Sequence, residues 1–84
     1  MSLGTLLMGM GLEQIRNGIS ENEIEYIENG LYNMSVNARM SLEQIKLALG
    51  EEQYSKVKEM LAEEWADDDL TGAGSMTIQI INDK

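Results

Sequence analysis

The sequence predicts a mainly α fold: four short helices as two similar helical hairpins, followed by a short C-terminal β-strand. Three observations lead there. Residues 10–31 and 40–61 match at a constant offset of thirty residues, so that Leu12-Glu13-Gln14-Ile15 recurs as Leu42-Glu43-Gln44-Ile45. Arg16 corresponds to Lys46, Gly18 to Ala48, Ile19 to Leu49 and Ile27 to Val57. A fixed period of this length points to a repeated two-helix unit. Capping signals sit at the expected helix starts, and residues 76–81 alternate with β-branched side chains.

The first stripe, Leu3, Leu7, Leu12, Ile15 and Ile19, has helical spacing. Gly4, Gly9 and Gly11 interrupt it, each costing about 0.5–1 kcal/mol against alanine in a helix interior. Residues 1–11 therefore read as an apolar, Gly/Met-rich N-terminal arm, either a loosened helical extension or a floppy segment. The first firm helix covers about 12–17, with Asn17-Gly18 as its expected end.

Ser20 with Glu23 reads as a capping box, and Ile19 with Ile24 as the hydrophobic staple around it. The second helix is expected over about 21–29, closed by Gly30 with Leu31 folding back. Residues 31–40 alternate Tyr32, Met34 and Val36 with Asn33, Ser35 and Asn37. A linker with a helical turn, Ser35 as a cap, is preferred there over a short strand.

The second unit uses the same grammar: Ser41 with Gln44 as capping box, Met40 with Ile45 as staple. Helix three should span about 42–49 and stop at Gly50. Helix four should run over about 51–66, with Tyr54, Val57, Leu61 and Trp65 as its stripe and Met60 beside it. Asp67-Asp68-Asp69 then ends it, since carboxylates sit badly at the negative end of a helix dipole. Residues 71–75 read as a flexible linker, and 76–81 as the strand. A lone strand is not stable in water, so it should pair with residues near 31–37, with a copy of itself or with a partner's sheet edge.

The organisation is then an arm (1–11), a helical domain (12–69, with units 10–31 and 40–61) and a linker with a strand (70–84). The expected core is Leu12, Ile15, Ile19, Ile24, Ile27 and Leu31, matched by Leu42, Ile45, Leu49, Tyr54, Val57 and Leu61 across a pseudo-twofold interface, with Trp65 added.

Composition narrows function. Eighty-four residues make one domain. Such a domain buries only about 60–65% of the surface of its unfolded chain, and no cysteine is present to staple it. Fifteen acids stand against six bases, for a net charge of −9. That balance disfavours direct contact with nucleic-acid phosphates and with anionic membranes, and it favours a basic partner. The N-terminus lacks a basic n-region of a signal peptide, and the apolar stretch 3–12 is too short to span a bilayer. The expected location is the cytoplasm of a host cell, or association with a virion.

With no His or Cys, common general bases and nucleophiles are missing. Gly9-Met10-Gly11 is too short for a dinucleotide fingerprint and follows no strand. No enzyme activity and no cofactor are expected. The paired helices resemble helix-turn-helix units, but the second helix of unit one has no basic residue. In unit two Lys56 and Lys58 face seven acids through Asp68. A recognition helix must approach phosphates, so this reading fails on charge.

Two acidic features remain. Asp67, Asp69, Thr71 and Gly72 fit the first, third, fifth and sixth positions of a calcium loop, and Ser75 the ninth. The twelfth, normally a bidentate glutamate, is Ile78. The run Glu59, Glu63, Glu64, Asp67, Asp68 and Asp69 contains no base. It reads as a solvated helix face, or as an acidic binding face whose carboxylates occupy a basic channel built for phosphates.

Seven methionines and no phenylalanine suit either an irregular small core or an adaptable docking surface. Leu3, Leu7, Met8 and Met10 in the arm, with Ile78 and Ile80 in the strand, are the candidate apolar docking residues, one segment binding as a helix in a groove and the other by strand addition.

The segment Ser41–Leu61, with Leu49-Gly50 closing one helix and Glu51-Glu52-Gln53-Tyr54 opening the next, resembles a stretch common in bacteriophage tail assembly chaperones. The resemblance covers about a quarter of the chain. It implies a phage-encoded helical protein that holds a tape-measure or tail-tube protein during assembly, with no catalytic residue.

The expected function is thus non-enzymatic protein binding, as an assembly factor or adaptor of a phage or mobile element. The partner would be a structural phage protein, with a homo-oligomer open. The alternative is an acidic, nucleic-acid-mimicking inhibitor of a basic host defence nuclease.

Overall fold

The computed structural model describes residues 1–84. The chain is 75% helical and contains no strand. Its elements are α1 (Leu3–Glu21), α2 (Ile24–Tyr32), a π-helical turn (Asn33–Asn37), α3 (Leu42–Glu64) and α4 (Ser75–Ile81). Mainly α is the fold class; the detail departs from the sequence reading in several places.

The first is the end of α1. Of the two forms open for the N-terminal arm, the helical extension is the one present: residues 3–11 are part of α1, and Ser2 caps the helix by accepting a hydrogen bond from the Thr5 N–H (3.1 Å). The helix passes straight through Asn17-Gly18 and Ser20, so the expected stop and capping box are not used. It ends instead at Asn22, a left-handed residue (φ 56°, ψ 46°), with the Glu23 N–H bonded to the Gly18 carbonyl (2.9 Å). That six-to-one bond is the Schellman arrangement, with Asn in the place glycine usually takes.

The glycines explain why the helix continues. Gly11, Gly18 and Gly30 are buried where α1 packs on α2. A β-carbon on Gly18 would meet Ile27 Cγ1 at 2.6 Å and the Glu23 carbonyl oxygen at 2.9 Å. The two backbones approach so closely that only glycine fits. Their helix-propensity cost, about 1 kcal/mol each, is offset by this packing. Gly30 likewise lies inside α2 rather than capping it.

Beyond α2 the chain widens into the π-helical turn, an unusual local form. Met34 points into the core, while Tyr32 and Val36 are exposed. Ser35 caps nothing; its hydroxyl donates back to the Leu31 carbonyl (2.7 Å). Asn33 ties the turn to α1 by donating to Gln14 Oε1 (2.8 Å), and Asn37 donates to Asn33 Oδ1 (2.8 Å).

The start of α3 follows the sequence reading. Ser41 Oγ accepts from the Gln44 N–H (3.2 Å), and Gln44 Oε1 accepts from the Ser41 N–H (2.9 Å), completing the capping box. The break at Gly50 is present too: its φ of 81° and ψ of 162° are non-helical, and α3 is kinked there. Unit one, by contrast, breaks at Asn22, two residues past the position that the thirty-residue offset pairs with Gly50. The sequence repeat therefore does not produce two like hairpins, and no pseudo-twofold relation follows from it.

The last correction concerns residues 76–81. They form helix α4, not a strand. Met76, Thr77 and Ile80 are buried, the i, i+1, i+4 pattern of a helical face, and α4 packs on α3 and α2. Strand and helix propensities differ by about 1 kcal/mol or less per residue, so burial of one face against two helices outweighs β-branching.

The core comprises Ile15, Ile27, Leu31, Met34, Ile45, Leu49, Tyr54, Val57, Leu61, Met76 and Ile80. Eight of these were expected from apolar spacing. Leu12, Ile19, Ile24 and Leu42 pack against the cluster while partly exposed; Trp65, expected in the core, is half-buried and lies outside it.

Candidate functional site

Four surface features carry chemistry. The first is the acidic face. Glu59, Glu63, Glu64, Asp67, Asp68 and Asp69 are all exposed, and none is paired with a base; the only ion pair in the molecule is Lys46–Asp83. Glu63 and Glu64 join Glu23, from the α1–α2 turn, around a recess of about 400 Å³ floored by Ile24 and Met60. Glu23 was not in the sequence-predicted face, because its neighbours lie forty residues away along the chain.

No group of three or more acidic side chains is placed to hold a metal ion. Asp69 instead makes a local turn, its Oδ1 accepting from the Thr71 N–H (3.0 Å). Hydrogen bonds from the Thr71 hydroxyl and then from its N–H hold the Asp69 carboxyl below the usual carboxylate range.

The second feature is the apolar end of α1. Residues 1–12 include no charged side chain. Leu3 (70% exposed) and Met10 (47%) lie open, joined by Met1 and Leu6. Leu7 is half-buried, and Met8 packs on the core. Helical spacing thus divides the predicted arm residues between two faces. The two predicted C-terminal docking residues are divided likewise: Ile80 is fully buried in the core and Ile78 is partly buried. Residues 76–81 are helical and present no strand edge for strand addition.

The third is a groove between the π-helical turn and α4. One cavity of about 410 Å³ is lined by Tyr32, Val36, Trp65, Met76 and Thr77, with Glu28 on its wall. A second of about 250 Å³, reaching Met40 and Leu42, adjoins it through Ser35, Val36, Ser75 and Met76. Trp65 Nε1 donates to Glu28 Oε2 (3.1 Å) across thirty-seven residues. No periodicity could have paired these two.

The fourth is a polar cluster that fastens α4. Tyr54 OH donates to Asp83 Oδ2 (2.6 Å), and Lys46 Nζ binds the same oxygen (2.9 Å). Lys46 also sits 5.1 Å from the centre of the Tyr54 ring. Lys58 donates to the carbonyls of Ile80 and Asp83, a cation at the negative end of α4. The hydrogen bond from Tyr54, then that from Lys46, holds the Asp83 carboxyl low, while the bond to Asp83 raises Lys46. Burial, reinforced by the bond to Asp83, pushes the Tyr54 phenol up. No helix in the molecule is long and apolar enough to cross a membrane.

Comparison with protein-family models, with curated proteins and with solved structures finds no match to this chain. The shape and chemistry of the four features are therefore what bears on function.

Proposed function

We propose that this protein is a non-enzymatic protein-binding module, encoded by a phage or mobile element, that acts as an assembly factor or adaptor in the host cytoplasm or on the virion. The observation that carries the reading is the open end of α1. A strongly acidic protein keeps twelve residues free of charged side chains and leaves Leu3, Leu6 and Met10 exposed there. Leucine and methionine on a helix end suit docking into a partner's groove. The partner class is a structural protein of an assembling particle, in line with the resemblance of residues 41–61 to tail assembly chaperones.

The test is capture from a phage-infected bacterial lysate, washed at low and then high salt. A structural protein retained at high salt, and lost when Leu3, Leu6 and Met10 are all changed to serine, is the expected result. Retention by the triple variant would sink the reading.

A second reading is favoured by a separate observation: six exposed carboxylates with no pairing base. They suit an inhibitor that offers acids to a basic nuclease channel. Its binding would fall steeply with salt and would disappear when Glu63, Glu64 and Asp67–Asp69 are neutralised.

A further inference from the structure

We propose that the groove between the π-helical turn and α4 is a second binding site, distinct from the α1 end, and that it takes an extended peptide with an arginine or lysine beside an apolar side chain.

The floor supplies the apolar half of that recognition. Trp65 and Met76 line the larger cavity, and Val36, 51% exposed, stands where the two cavities join. Tryptophan is the residue most often found anchoring a partner, because its large face desolvates at little entropic cost. Trp65 is held ready: its N–H is fixed by Glu28 rather than left to seek water.

Glu28 supplies the charged half. One carboxylate oxygen accepts from Trp65, and no cation lies within ion-pair distance of either. The carboxylate is half-buried on the cavity wall, where a cation would be attracted more strongly than at an open surface. No lysine or arginine lines either cavity. Glu28 is the only charged side chain that lines either cavity. An anionic peptide would meet only like charge there. A neutral one would leave the carboxylate without a counter-charge. A guanidinium can bridge the free carboxylate lone pairs and stack its plane on the indole. The adjoining cavity of about 250 Å³, bordered by Met40 and Leu42, accepts the neighbouring apolar side chain.

Trp65 is the only tryptophan, so its emission reports on the groove directly. The protein is titrated with acetyl-Ala-Leu-Arg-Leu-Ala-amide and with the same peptide carrying glutamine or glutamate in place of arginine. The arginine peptide is expected to change Trp65 emission saturably, at least about tenfold more tightly than the glutamine peptide, as befits one charge-assisted contact. Binding should weaken with added salt. Glu28→Gln and Val36→Lys should each weaken it by about tenfold or more. Val36 is half exposed and outside the core, so Val36→Lys keeps the test valid even if Glu28→Gln disturbs Trp65.

Equal titration by all three peptides would overturn the proposal, as would no saturable change from any of them up to millimolar concentration, or full binding by Val36→Lys. Neither variant touches Leu3, Leu6 or Met10. Loss of peptide binding with intact high-salt capture, or the reverse, therefore separates this groove from the α1 docking surface.

Discussion

Gly11 and Gly30 meet backbone to backbone where α1 packs against α2. A β-carbon on Gly30 would lie 2.6 Å from the Gly11 carbonyl oxygen, and one on Gly11 would lie 2.8 Å from the Gly30 carbonyl oxygen. Gly18, two turns from Gly11 on the same face of α1, makes a similar contact with Ile27. Gly11, which interrupts the helical pattern in the sequence, and Gly18 and Gly30, which read there as helix ends, are thus what lets the first two helices pack.

This gives a pair of substitutions with opposite signs. Gly30→Ala gains helix propensity but forces backbone apart, and is expected to destabilise by about 1–3 kcal/mol, as overpacking does. Gly9→Ala, also within α1, meets nothing within 4 Å, and should stabilise by about 0.5–1 kcal/mol. Urea denaturation of the two variants checks this; a stabilised Gly30→Ala would show that the helices are not in contact there.

The two capping boxes read from sequence make a second contrast. Ser41 is bonded on both arms, and Ser41→Ala should cost about 1 kcal/mol. Ser20 is an exposed residue within α1 that makes no side-chain hydrogen bond, so Ser20→Ala should be neutral or better by a few tenths of about 1 kcal/mol. Thermal melts of both variants are enough to decide.

Ile45 has no exposed surface and belongs to the core. Truncation to alanine leaves a cavity and should cost about 2–4 kcal/mol, a large part of the stability of so small a domain. Leu47, two residues on and 83% exposed, should tolerate alanine within about 0.5 kcal/mol. A melt of Ile45→Ala that stays within a degree of the parent would place the core elsewhere.

The Tyr54–Asp83–Lys46 cluster predicts how the hold on α4 depends on pH. Asp83 titrates below its ordinary value in the folded state, so its contribution is present above about pH 4, the unfolded value, and is lost as pH falls through the folded one. Lys46 and Tyr54 titrate above theirs, so their contributions are present below about pH 10 and are lost as pH rises through the folded values. Tyr54→Phe should therefore cost about 1 kcal/mol at pH 7, and the difference from the parent should shrink in acid. An equal difference at pH 7 and at about pH 2 would show that the hydroxyl acts through packing and not through the carboxylate.

The sequence by itself determined what is written within one or two helical turns. Apolar spacing picked out Ile15, Ile27, Leu31, Ile45, Leu49, Tyr54, Val57 and Leu61 for the core, the Ser41–Gln44 pair marked the start of α3, and Gly50 marked its break. These signals are local, because a helix buries one face and its first turn needs partners close at hand. Only the tertiary structure decided the rest. Whether a glycine breaks a helix or admits a neighbour depends on what lies opposite, and for Gly11, Gly18 and Gly30 that is another helix. Whether residues 76–81 are strand or helix turned on the faces of α2 and α3 against which Met76, Thr77 and Ile80 are buried. The bonds from Trp65 to Glu28 and from Lys46 to Asp83 each cross thirty-seven residues. Hydrogen bonding and charge pairing carry no periodicity along the chain, so such pairs appear only when folding brings them together.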